Sequence, residues 1–205
     1  MEEKKLTDHE SLKLISQMIE STRENMEVGR GNLFLYFGYF SAFLGIAIYI
    51  LTALTSNGVW GFGWFLMFAF WGLLYYFSKK PAVVTYTDRA IRTIWKVIGY
   101  MFIISCLSIV LIGWFAGQIN FSVMMPLSLI YMGMGASMTG VIIRNRTTVY
   151  LPLLAMVIPF YMFVMMQNGS AHSWWQLLFS LAAIIIMVIP GHVLKAKSRS
   201  LCLKS

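Results

Sequence analysis

Apolar and charged positions segregate into long blocks along this chain. Residues 31 to 78, 97 to 143 and 147 to 194 contain no Asp, Glu, Lys or Arg, and all 24 charged residues fall in 1 to 30, 79 to 96, 144 to 146 and 195 to 205. A helix crossing a hydrocarbon core of roughly 30 Å needs about 20 apolar residues, so each uncharged block is long enough for an out-and-back hairpin with a short turn. The pattern predicts spans near residues 33 to 54, 59 to 78, 97 to 116, 121 to 143, 148 to 166 and 173 to 194. The turns at 55 to 58, 117 to 120 and 167 to 172 carry the Gly, Asn and Ser that suit tight connections. The expected fold is all-α: a polytopic membrane protein of six transmembrane helices in three hairpins, preceded by a cytoplasmic amphipathic helix.

That preceding helix has its own period. Thr7 and Glu10 fit a capping box, and Leu12, Ile15, Ile19, Thr22 and Met26 recur at spacings of three and four, with Leu14 and Met18 widening the stripe. The helix is expected to end near Val28 and Gly29. Three regions result: residues 1 to 30 as the amphipathic helix, 31 to 194 as the membrane domain and 195 to 205 as a basic tail. The absence of an apolar stretch followed by a small-residue cleavage site in the first 30 residues predicts that no secretory signal is removed.

Charge fixes the expected orientation. Every one of the 16 Lys and Arg residues lies on the side opposite the three uncharged turns, which predicts cytoplasmic termini and cytoplasmic connections at 79 to 96 and 144 to 146. Trp60, Trp64, Trp114, Trp174 and Trp175 then fall near the outer interface and Trp95 near the inner one, as in an aromatic belt. The net charge of +8 does not imply nucleic acid. Its surplus cations flank helices, where they meet anionic headgroups; Arg89, Arg92 and Lys96 share one helix face, and Lys195 and Lys197 follow the last span, making these five the candidate lipid-headgroup contacts. Residues 1 to 30 instead carry five basic and seven acidic groups, so anionic lipid would repel them. A protein surface is the expected dock for Leu12, Ile15, Ile19 and Met26: the chain's own basic loops, a second copy, or another protein meeting residues 7 to 28.

Composition narrows the chemistry. No Asp, Glu, Lys or Arg lies within a predicted span, which disfavours proton- or sodium-coupled transport. There is no His-Glu-x-x-His, no Gly-rich phosphate loop with Lys and no Cys-x-x-Cys, and Cys106 and Cys202 sit at different depths. No metal, cofactor or enzyme activity is expected. Small residues spaced by four (Gly38 and Ala42, Ser41 and Gly45, Gly113 and Gly117, Gly133 and Ser137, Ala136 and Gly140) predict close helix packing. Pro152 and Pro159 predict a kinked fifth span that could line a cavity. Gly135, Ala136 and Ser137 with Gly191 and His192 are similar to the serine and histidine of rhomboid proteases, but Met138 replaces the second glycine of that motif and the second span offers no oxyanion donor.

Taken along its length, the sequence resembles a family of uncharacterised six-span inner-membrane proteins of the Bacteroidota. Its landmarks are the opening Met-Glu-Glu-Lys-Lys-Leu-Thr, Gly31-Asn-Leu-Phe-Leu-Tyr, Gly63-Trp-Phe-Leu-Met and Val83-Val-Thr-Tyr-Thr-Asp. The resemblance implies a bacterial inner-membrane location and carries no functional residue. The leading expectation is a regulatory or accessory component of a membrane complex that docks through its amino-terminal helix. The alternatives are a passive or exchange transporter of a small neutral or lipophilic solute, or a lipid-modifying enzyme. A polar cavity at mid-membrane would favour transport, and a close-packed bundle the accessory role.

Overall fold

The computed structural model describes residues 8–77, 86–117, 119–167 and 172–202, with side chains described within these ranges from Asn32 to Ala196, Tyr75 and Asp88 excepted. Among the described residues the chain is helical throughout, without strands. Helix α1 runs Asp8–Thr55, α2 Leu66–Phe77, α3 Tyr86–Ala116, α4 Met124–Ile143, α5 Arg146–Ala155, α6 Val157–Met166, α7 Trp175–Ala183 and α8 Ile189–Cys202. Among the described residues five stretches are long and apolar enough to cross a bilayer: Asn32–Thr55, Arg89–Ala116, Phe121–Ile143, Arg146–Met166 and Trp175–Ala196.

Two predicted boundaries change. The amphipathic segment does not end near Gly29, because α1 continues unbroken from Asp8 into the first apolar stretch. Glycine weakens a helix interior by only about 1 kcal/mol, less than the flanking helix supplies. The stretch expected at 59 to 78 is not one α-helix: Gly58–Phe65 is wound as a 3₁₀ helix before α2 begins. Gly58, Gly61 and Gly63 dilute helix propensity there, and Gly58–Leu74 falls short of the other five in length.

The turns at 55 to 58 and 117 to 120 follow their predicted chemistry, while most of the one expected at 167 to 172 lies outside the described residues. Ser56 takes a left-handed φ of 51° and the Asn57 side chain accepts from the Val59 amide at 3.0 Å. Gly117 has φ 71°, and Asn120 accepts from the Ser122 amide at 2.9 Å. Gly117 is thus a turn residue with open space where a Cβ would stand, and not half of a packing pair with Gly113. Between α4 and α5 the link is only two residues. Arg144 adopts φ 56° and the Asn145 amide reaches back to the Gly140 carbonyl at 3.0 Å, while its side chain caps the Thr148 amide. This is a Schellman closure, here with arginine in the left-handed position.

Proline explains two interruptions near mid-span. Pro159 lacks an amide and its ring opposes the Ala155 carbonyl, so the fifth stretch breaks at Met156, between α5 and α6. Pro190 does the same to Ile186, and the turn before it, Ile184–Val188, widens into a π-helix joining α7 to α8. Pro126, Pro152, Pro159 and Pro190 are all fully buried, so these sites face protein.

Helix α1 lies along α7 and α8, and α4 packs on α3, α5 and α6. The core between them contains Phe34, Leu129, Ala136, Met162, Phe179, Ala182, Ala183 and Ile186. Trp175 belongs to this core at 2% exposure, which corrects its assignment to the outer aromatic belt, whereas Trp114 is exposed. Trp95 is likewise a packing residue, edge-on to Phe34 with ring centroids 6.1 Å apart.

Glycine allows the closest approaches. A Cβ on Gly38 would stand 2.8 Å from Val188 Cγ2 and 2.9 Å from Met187 Cβ, and one on Gly45 would collide with Ser180 Oγ. The Ser180 hydroxyl donates to the Ala42 carbonyl across this contact at 2.9 Å and has the Gln176 carbonyl at the same distance. A Cβ on Gly140 would meet backbone, at 2.6 Å from Thr148 C and 2.7 Å from Val149 N. Backbone cannot rotate away as a side chain can. Gly140→Ala should therefore lower stability by about 1–3 kcal/mol. Gly72→Ala, in open space on α2, should be neutral or stabilising by up to roughly 1 kcal/mol. Thermal unfolding of both variants in detergent checks the contrast; equal losses would contradict this packing.

Candidate functional site: the basic rim

At one end of the bundle Ile91 of α3, Ile143 of α4 and Leu194 of α8 form a small buried cluster, with Trp95 and Ile142 packed against it. This cluster brings three charged chain segments to the same end. Periodicity explains the placement: on α3, Ile91 and Trp95 face the bundle, leaving Arg89, Arg92 and Lys96 exposed. Thr93 returns its hydroxyl to the Arg89 carbonyl at 2.9 Å, and the Lys96 ammonium lies 5.7 Å from the Tyr100 ring centroid.

Lys195, beside Leu194, is half-buried at this end, and Lys197 lies outside the described side chains. Arg144 lies in the two-residue link and Arg146 opens α5, and both are exposed. Sequence reasoning counted these two as topology signals and left them out of the candidate contacts. Their signal was the shortness of the 144 to 146 link, which leaves them no length to reach away from the bundle end. Arg89, Arg92, Lys96, Arg144, Arg146 and Lys195 give this end a surplus of cations over Asp88, the one acid between Glu27 and the end of the chain, which suits it to anionic headgroups or an acidic protein face. Leu12, Ile15, Ile19 and Met26, the candidate docking face, lie outside the described side chains; their backbone forms the first part of α1.

The serine and histidine weighed as a catalytic pair have other partners. Ser137 donates to the Val149 carbonyl at 3.1 Å, while His192 Nε2 and the Tyr39 hydroxyl are 2.7 Å apart, with their rings edge-to-face. Ser137 is buried between α4 and α5, whereas Tyr39 and His192 are exposed where α1 meets α8. A general base must reach the proton it removes, and this arrangement does not bring the two together.

Hydroxyls inside the bundle close on nearby acceptors. Thr139 donates to the Gly135 carbonyl at 2.7 Å and accepts from Trp95 Nε1 at 3.2 Å; Ser105 and Tyr131 share a hydrogen bond of 2.7 Å. Thr148 Oγ1 and Trp175 Nε1 are buried without a partner. They are on different helices and belong to different packing contacts, Thr148 against Gly140 and Trp175 within the central core.

If the rim holds anionic headgroups, each exposed cation contributes about 1 kcal/mol, or roughly fivefold in affinity. Joint Arg89→Gln and Arg92→Gln substitution should lower phosphatidylglycerol retention by more than tenfold, as read by native mass spectrometry against phosphatidylcholine. Unchanged retention would remove lipid binding from these two residues.

Comparison with known protein families, with curated proteins and with solved structures finds no match for this chain.

Proposed function

We propose that this protein is an accessory or regulatory component of a bacterial inner-membrane complex, crossing the membrane six times with both termini in the cytoplasm and docking through the helix that precedes its first span. The resemblance to Bacteroidota inner-membrane proteins accords with that location. In this reading Gly58–Phe65 and α2 together supply the second crossing: at rises of about 2.0 and 1.5 Å per residue they extend roughly 34 Å, enough for a hydrocarbon core.

The observation that carries the proposal is the continuity of α1. A helix without a break cannot fold back over the chain's own basic rim. Residues 8 to 31 extend about 36 Å beyond Asn32, whereas α3 begins only ten residues before Lys96 and α8 runs seven past Lys195, roughly 15 and 10 Å. The outer half of the extension therefore reaches past the described ends of α3 and α8, and in this reading its apolar stripe is what a partner covers.

A transport reading draws on the interruptions at Met156 and at Ile184–Val188, since broken helices line substrate sites in many carriers. Against it, the prolines responsible are fully buried and the adjoining core is filled by Leu129, Ala136, Met162 and Ile186, each at 0% exposure. Such packing favours a bundle that anchors and positions a docking element.

Cross-linking purification from native membranes tests the proposal by comparing the full chain with one lacking residues 1 to 28. The expected result is a protein partner recovered with the full chain and lost with the truncated one, both accumulating equally in the membrane. Recovery of the same proteins with both forms would refute docking through this helix.

A further inference from the structure

Helix α1 and the last span run antiparallel: a Cβ on Gly38 would meet Val188, and one on Gly45, a heptad further along α1, would meet Ser180. Where the two helices approach the basic end of the bundle, the Tyr39 hydroxyl and His192 Nε2 are 2.7 Å apart and both side chains are exposed. Among the described residues neither side chain makes a second hydrogen bond. Whichever way this bond runs, the pair keeps one donor to spare. If Tyr39 donates to Nε2, the imidazole proton is on Nδ1; if Nε2–H donates to Tyr39, the hydroxyl proton is free.

Lys195 adds charge to the same seam. It follows Val188 by seven residues and so lies on the flank of α8 that packs against Gly38, one turn beyond His192. Its neighbour Leu194 is turned by about 100°, toward Ile91 of α3 and Ile143 of α4, so this seam is separate from the face that carries Arg89 and Arg92. On α1, Asn32 precedes Tyr39 by two turns and shares its side. Asn32 opens the first apolar stretch, and Lys195 stands one residue before the end of the last. One turn deeper the character changes: Phe43 on α1 and Ile189 on α8 are exposed at 69 and 41%.

We propose that this seam binds the phosphodiester headgroup of one anionic phospholipid, held by the Lys195 ammonium and by the spare donor of the Tyr39 and His192 pair. The site stands apart from docking through the amino-terminal helix. A cation beside a donor calls for anionic oxygens, and the apolar surface one turn deeper calls for hydrocarbon on the same molecule. A charged phospholipid offers both in that order, whereas a soluble phosphate offers only the first. A zwitterionic headgroup brings its own cation toward Lys195. Against hydrocarbon alone the spare donor would be left unsatisfied; the phosphate closes it.

Phosphatidylglycerol with a diazirine on its headgroup, photolysed with the full chain in phosphatidylcholine bilayers and mapped by peptide mass, tests the site by position. Label is expected on both Asn32 to Tyr39 and His192 to Lys195, displaced by excess phosphatidylglycerol and by neither added phosphatidylcholine nor glycerol phosphate. Joint Tyr39→Phe and His192→Leu substitution removes the donor without adding or removing a carboxylate or ammonium, and should lower this label about tenfold. Lys195→Gln should lower it roughly fivefold, and joint Arg89→Gln and Arg92→Gln substitution should leave it in place. Label unchanged by the donor or the Lys195 variant, or displaced by phosphatidylcholine, would reduce the contact to ordinary surrounding lipid and overturn the site. Displacement by glycerol phosphate would overturn the lipid as its ligand. The displacement series needs only the parent chain, so it decides the matter even where a variant fails to accumulate.

Discussion

Helices inside a bilayer gain nothing from leaving water when they meet, because lipid tails are as apolar as leucine; their association rests on how closely backbones approach. In this protein that approach is made at Gly38 and Gly45, where α1 lies against the π turn and α7, and at Gly140, where α4 touches the backbone of α5. Much else depends on these contacts. They bring Ser180 to the Ala42 carbonyl and Ser137 to the Val149 carbonyl, satisfying hydroxyls where water is absent. They also fix which side of α1 faces the bundle, and so which side is left over.

Much of this was legible in the sequence because the membrane imposes a coarse code. Uncharged blocks of nearly 50 residues located the apolar stretches, and Asn57, Gly117, Asn120 and Asn145 marked turns that the backbone takes with those residues as caps or left-handed positions. The small-residue run from Gly133 to Gly140 is buried as its spacing implied. What escaped depends on neighbours. Glycine in 58 to 63 loosens an α-helix into 3₁₀ form, whereas Gly29 and Gly31 leave one intact; residue type alone does not separate these outcomes. Trp175 has the composition of a belt residue and the surroundings of a core residue.

The candidate site divided in the same way. Arg89, Arg92 and Lys96 were recognisable from helical spacing, yet their gathering with Arg144 and Lys195 at one end depends on Ile91, Ile143 and Leu194 meeting across three helices, a long-range contact with no local signature. The Ser137 and His192 pairing fails for a related reason. Similar depth in the membrane was readable from the distance to the flanking cations, but position around the helix was not: Ser137 points between α4 and α5, and His192 outward toward Tyr39.

Helix α3 is held differently from the rest. Only 11% of its apolar stretch is buried, against 56% for the last one, and it packs chiefly on α4. Its residence in the membrane thus comes from partitioning into lipid, a property of summed hydrophobicity that many apolar sequences share, whereas α1, α4 and α8 depend on particular small residues at particular places. Over evolutionary time the two kinds of helix are under different constraint. The outer face of α3 is free to exchange Ile, Leu, Val and Phe, while the glycines of α1 and α4 have almost no permitted neighbours in sequence space.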